Sequence, residues 1–171
     1  MSLVFSAVHN LVREGANVIL LGSGEFNNEQ EMQRLRDLYP DNVSVYIGYN
    51  NELAHQVYAA SDFFMMPSLF EPCGLGQMIA QRYGTLPIVR RTGGLRDSVI
   101  NFDSSNEETS NGFGFDNYHP DDMKYTSVYA YDTWFNKDII HHLMKNAMTT
   151  DNSWAKSAKS YLGLYKEIVS K

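Results

Sequence analysis

Cysteine is nearly absent from this sequence: Cys73 is the sole one in 171 residues. An intrachain disulfide is excluded, and a reducing compartment is the natural setting. Positive charge is also scarce. Fourteen Lys and Arg stand against 20 Asp and Glu, a formal net charge of −6, and no basic block interrupts that balance. Nucleic acid is therefore not an expected partner, although a helix N-terminus can still receive a phosphate. No apolar run approaches the roughly 18 residues of a membrane span, and no signal peptide opens the chain. The expectation is a cytoplasmic protein without membrane association. The five histidines form no cluster: His141 and His142 are adjacent on one expected helix, and adjacent residues point to different sides of it. Neither a metal site nor a cofactor is expected. Solenoid repeats and low-complexity tracts are missing too.

What is present is an alternation. With 43% apolar residues, the length suits one globular domain with its own core. Val4, Phe5, Val8, Leu11 and Val12 keep helical spacing up to Gly15, so the chain opens inside a helix. A doubly wound unit has a strand before that helix, and none stands here. The expectation is a piece cut from a longer protein. Val18 to Leu21 then reads as a buried strand, followed by Gly22-Ser23-Gly24. A helix from about Asn28 to Tyr39 turns Met32, Leu35, Leu38 and Tyr39 inward. Val43 to Ile47 is the second strand, followed by Gly48-Tyr49 and a helix from about Glu52 to Ala60. Phe63 to Met66 is a third strand, closed by Pro67. The next helix places Leu75, Met78, Ile79 and Tyr83 on one face and stops at Gly84.

Leu86 to Val89 is the fourth strand, followed by Thr92-Gly93-Gly94 and a short helix over Leu95 to Ile100. After the polar loop 103–111, Gly112 to Phe115 reads as an edge strand. The remainder is helical with a break near Thr149 to Asn152. Its last helix starts from an N-cap at Asp151 or Ser153. It carries the stripe Trp154, Ala158, Tyr161, Leu162, Tyr165, Ile168 and Val169, expected to be mostly core. Apolar strands spaced by helices predict the α/β class: a single Rossmann-like domain with a doubly wound parallel sheet and C-terminal helices.

Three glycine-bearing turns follow strands: Gly22-Ser23-Gly24, Cys73-Gly74-Leu75-Gly76 and Thr92-Gly93-Gly94. Such turns let backbone approach a ligand, and free N–H groups at the next helix start favour a phosphate. Each alone is equally a tight strand–helix turn, and the first misses the spacing of the dinucleotide fingerprint. Together, at strand ends, they point to a phosphate-bearing ligand. Glu71 is the carboxylate at their centre, although position alone also fits a loop acid or a helix N-terminal partner. Cys73 alone reads as a small buried residue, and Tyr49 as packing or as a platform for a base. Arg90 and Arg91 end a strand at the same edge, suited to an anion or to a structural pairing.

The run PSLFEPCGLGQMIAQRYGTLPIVRRTGGLRDSV over residues 67–99 resembles the C-terminal domain of bacterial glycogen synthases and plant starch synthases. The resemblance continues in VILLGSGE, IGYNNELAHQVYAASDFFMMPS, NGFGF and SWAKSAKSYLGLY, and so covers nearly the whole chain. It implies the C-terminal half of a two-domain GT-B enzyme. Such an enzyme transfers glucose from ADP-glucose, with retention, to the non-reducing end of an α-1,4-glucan. Matched by motif, Glu71 would be the catalytic carboxylate beside the transferred glucose, with Cys73 and Gly74 touching that sugar. The N–H groups of Leu75 and Gly76 would hold the diphosphate. Gly48 and Tyr49 would lie at the adenine, and Thr92, Gly93 and Gly94 would line the cleft.

Departures accompany the match. Gly76 stands where the family has Thr, and Met78-Ile79 where it has Leu-Tyr. The family's Arg and Lys on the diphosphate belong just upstream of the first helix, outside this sequence. The resemblance therefore implies an isolated half that binds ADP weakly and does not turn over. The N-terminal domain with the glucan acceptor face would lie elsewhere. A rival reading is a non-catalytic Rossmann-type binding or regulatory module. Retaining transferases of the sucrose synthase or trehalose-phosphate synthase type resemble it less, because their second glutamate falls at Ile79.

Overall fold

Short apolar strands alternate with crossover helices throughout the computed structural model, which describes residues 2–170. In chain order the elements are α1 (Ser2–Arg13), β1 (Val18–Gly22), α2 (Phe26–Leu38), β2 (Val43–Ile47), α3 (Asn51–Ala60) and β3 (Phe63–Met66). They continue with α4 (Gly76–Tyr83), β4 (Leu86–Arg90), α5 (Gly94–Ser98) and β5 (Phe113–Phe115). The chain ends in α6 (Pro120–Trp134), α7 (Lys137–Thr149) and α8 (Trp154–Val169).

All strand pairings are parallel. Leu20 lies opposite Val45 in the β1–β2 pair, Met65 opposite Ile88 in β3–β4, and Val89 opposite Gly114 in β4–β5. Period-two alternation sends β4 side chains to two cores. Leu86 and Ile88 pack with Phe113, Ala130, Leu143 and Ala147 beneath α6 and α7. Val89 packs with Leu95 and Val99 of the α5 region on the opposite face. Helices on both faces explain why these strands are apolar without alternation.

The parallel, doubly covered arrangement expected from the sequence is present, but its sheet is hydrogen-bonded in two pieces. β1 and β2 form one, and β3, β4 and β5 the other. β1 and β3 are less buried than their composition suggests: Ile19 is 47% exposed and no residue of β3 is fully buried, whereas Leu86 and Val89 of β4 are sealed. Helix α1 spans the interruption. Its Leu3 and Ala7 join Phe115 and Met123 of the larger piece, and its Val8 joins Leu35 and Val43 of the smaller.

Several sequence expectations are corrected. Leu38 is exposed, because α2 turns only Met32 and Leu35 fully inward. Helix α4 buries Gln77, Ala80 and Gln81, while Leu75 and Tyr83 of the expected face are exposed. The last helix has no buried residue: Trp154 is 88% exposed, so its stripe is no part of this core. A further break divides α6 from α7 at Phe135-Asn136, where the Asn136 side chain accepts from the Ile139 N–H. Ser153 is the N-cap of α8, accepting from Lys156 N–H, and Asp151 braces it by accepting from Ser153 N–H. No helix among the described residues is long and apolar enough to cross a membrane.

Candidate functional site

Two loops at the carboxyl ends of β3 and β4 build the site. The first leaves Met66, carries Glu71, Pro72 and Cys73, and enters α4 at Gly76. Leu75 caps that helix without a side-chain bond, and Gly74 sits at φ +75°, the left-handed region that glycine tolerates. Among the described residues, nothing accepts the N–H groups of Gly74, Leu75 or Gly76. Three consecutive free donors at the positive end of a helix make a receptive place for an anion.

The second loop, Thr92-Gly93-Gly94, is locked against the first. Gly94 N–H donates to the Glu71 carbonyl at 3.3 Å. A Cβ on Gly93, which sits at φ +46°, would overlap that same carbonyl, and one on Gly94 would overlap the Cys73 carbonyl. Backbone thus meets backbone, and the pair of loops holds Glu71, Cys73, Gly74, Leu75, Gly76, Thr92, Gly93 and Gly94 in one place. Glu71 is half-buried, and its carboxylate has no hydrogen-bond or ion-pair partner among the described residues. Cys73 is exposed, contrary to the buried expectation, with its Sγ 3.6 Å from the Gly74 carbonyl.

Gly48 and Tyr49 stand apart, at the end of β2 in the smaller sheet piece. Gly48 N–H donates to the Gly22 carbonyl at 3.0 Å, which ties the two turns there together. Tyr49 is 87% exposed and presents a free ring to solvent. Gly22-Ser23-Gly24 likewise belongs to that piece, and its Gly24 N–H is already taken by the Glu29 carboxylate at 3.0 Å.

The two arginines are committed to structure. Arg91 forms a two-pronged bond to the Asp116 carboxylate, both arms 2.9 Å, and the guanidinium holds that carboxyl below its ordinary range. Arg90 donates to the Leu69 carbonyl at 2.7 Å and to the Asp116 carbonyl at 3.1 Å, bracing the segment before Glu71.

Behind Gly76 lies an aromatic cluster. Tyr58 stacks on Tyr83 and meets Phe64 edge-on. A Cβ at Gly76 would come within 3.0 Å of the Phe64 ring and 3.1 Å of the Tyr58 hydroxyl, so the space of a side chain is filled from behind. Burial pushes the Tyr58 phenol up from its ordinary range.

Sequence reasoning missed Gln77 and Ser98. Gln77 is fully buried, and its Nε2 donates to the carbonyls of Cys73 and Gly74 and to Ser98 Oγ. The signal was available: Gln77, Ala80 and Gln81 share a helix face at i, i+3 and i+4, immediately after a glycine turn.

Fold and loops together define a doubly wound α/β domain whose strand-end loop carries Glu71 and N–H groups unpaired among the described residues. Residues 1–129 match the family described as glycosyl transferases group 1. The chain belongs to that family. A glycogen synthase from Bacillus anthracis is 49% identical over 169 residues, covering 99% of this chain and 35% of the relative. One from Clostridium perfringens is 45% identical, covering 98% and 34%. Among solved structures, the catalytic domain of starch synthase IV from Arabidopsis thaliana bound to ADP and acarbose superposes with a TM-score of 0.86. It is 35% identical, over 99% of this chain and 36% of that one. A sucrose-phosphate synthase from Thermosynechococcus elongatus, 20% identical with a TM-score of 0.64 over 98% of this chain and 42% of that one, shares the fold. The chain spans about a third of the length of the curated relatives it matches.

Proposed function

We propose that this chain is the donor-binding domain of an ADP-glucose-dependent synthase that elongates an α-1,4-glucan with retention. The observation that carries the reading is the run of N–H groups at Gly74, Leu75 and Gly76, unpaired among the described residues, on the same loop as Glu71. Leu75 and Gly76 would face the diphosphate, Cys73 and Gly74 the glucose, and Thr92, Gly93 and Gly94 the wall of the cleft. Tyr49, after Gly48, would lie against the adenine, which suits an exposed ring at the end of β2.

The chemistry follows from charge. Cleavage at the anomeric carbon leaves negative charge on the departing diphosphate and positive charge on the sugar ring. Fixed N–H dipoles stabilise the first without reorganising during the reaction, and Glu71 would orient the sugar and stabilise the second. Support for the glucan synthase reading comes from the glycogen synthases at 49% identity. The glucan acceptor and the facing domain would be supplied by the part of such relatives that this chain does not match.

Titration of ADP and ADP-glucose into the labelled chain, followed by amide shifts, tests the reading. Perturbation at Tyr49 and at Leu75 and Gly76 is expected, with no turnover by the chain alone. Silence at all three positions under saturating nucleotide overturns it.

A further inference from the structure

We propose that Gln77 is the positioning residue that sets the direction of the ligand-facing N–H groups, acting through one buried amide on both loops of the site. The inference rests on the donor reading above for its ligand, but not for its geometry.

In a trans peptide the carbonyl of one residue and the N–H of the next point in opposite directions. Turning the Cys73 and Gly74 carbonyls inward therefore turns the Gly74 and Leu75 N–H groups outward. Gln77 Nε2 does the turning: it lies 3.1 Å from the Cys73 carbonyl and 3.0 Å from the Gly74 carbonyl. Glycine at 74 makes such a lock necessary. The residue that accepts φ +75° also offers little resistance to a flip of its peptide.

The same nitrogen reaches the second loop. It donates to Ser98 Oγ at 3.0 Å, and that hydroxyl donates onward to the Gly94 carbonyl at 2.7 Å. Two hydrogens thus serve three acceptors, while Gln77 Oε1 is buried without a partner. An amide placed only for its own satisfaction would not leave its acceptor idle. This one is oriented by the carbonyls it restrains, and the orphaned oxygen is the cost.

Gln81 supplies the control. It is equally buried one turn later on the same helix, and it donates to the Ser98 carbonyl and accepts from Asn152, with no hydrogen bond to residues 71–76 among the described residues. Gln77→Met and Gln81→Met each remove a buried amide at nearly constant volume, and a similar fall in melting temperature is expected from both. Only Gln77→Met should weaken ADP, by about ten- to hundredfold, the loss of one oriented N–H bond to a charged group. It should also move the Gly74 and Leu75 amide resonances in the ligand-free protein.

Equal loss of ADP affinity in both variants, or unchanged Gly74 and Leu75 amides in Gln77→Met, overturns the proposal. If the parent chain binds no ADP, the donor reading fails, and the ligand-free amides still decide the role of Gln77. Should Gln77→Met not fold, Ser98→Ala reads the relay alone: a shift of the Leu95 amide, the N–H of the peptide whose Gly94 carbonyl Ser98 holds, is expected, and its absence overturns the link to the second loop.

Discussion

At Gly93 a single hydrogen in place of a methyl decides whether the two loops can meet. The residue combines φ +46° with a carbonyl pressed against its α-carbon, so Gly93→Ala adds backbone strain to a direct overlap with Glu71. A loss of about 3 kcal/mol or more is expected, measured by urea denaturation. Gly76 presents the milder case, with ordinary backbone but no free space. Gly76→Thr should cost about 1 kcal/mol by overpacking against Phe64 and the Tyr58 hydroxyl. Tyr58→Phe should return part of that loss, and a double-mutant cycle with positive coupling between the two positions is the expected result. Asp116 gives a pH dependence. Its carboxyl is held below the ordinary value by Arg91, so its contribution is complete above about pH 4 and fades as pH falls through the depressed folded value. Both groups are well exposed, so the contribution is under about 1 kcal/mol and shrinks with salt. Asp116→Asn should flatten that part of the acid limb of stability. The meeting of the two glycine loops around Glu71 was legible because both turns follow strands of one parallel sheet, although each turn alone has other uses. Their partners were harder to find: Gln77 shows only as a polar helix face shared with Ala80 and Gln81, and Ser98 carries no special spacing until the loops fold onto it.

Elements were legible wherever apolar period alone decided them. All five strands and the crossover helices fall where runs and turns predict, most plainly β4, where burial on both faces leaves no polar alternation to mislead. Helix α4 shows the limit of that logic: the periodicity of Leu75, Met78, Ile79 and Tyr83 was real, yet the helix turns its amides inward to meet loop carbonyls. Hydrogen-bonding demand outweighed apolar area there, because unpaired buried carbonyls cost more than two exposed apolar side chains. The edge strand β5 is anchored differently, through Phe113. Its ring is fully buried and meets Phe63, Phe102 and Tyr129 edge-on. Phe113→Ala should cost about 3–5 kcal/mol, seen as a lower denaturation midpoint with an unchanged slope.

Over the whole molecule, stability should be uneven, and the reason is the interrupted sheet. Nothing in local sequence announces it, since each strand reads the same whether or not its second edge is paired. The larger piece has β4 sealed on both faces and the Phe113 cluster beneath it. The smaller has Val43 as the only fully buried strand residue, with Ile19 and Tyr46 exposed. Helix α8 adds nothing to either, so Trp154→Ser should change stability by less than about 0.5 kcal/mol. Coupling between the pieces runs through α1, whose Leu3 and Ala7 pack with the larger piece and whose Val8 packs with the smaller. Few buried contacts around β1 and β2 mean that this piece can open while β4 stays closed. Native-state hydrogen exchange should therefore find Leu20 and Val45 amides opening with a lower free energy than Ile88 and Val89. Ala7→Asp, which places a charge where α1 meets Phe115 and Met123, should widen that gap by releasing α1 from the larger piece. Equal opening free energies for the two pairs, in parent and variant alike, would show one cooperative unit and remove the interrupted sheet as a boundary of stability.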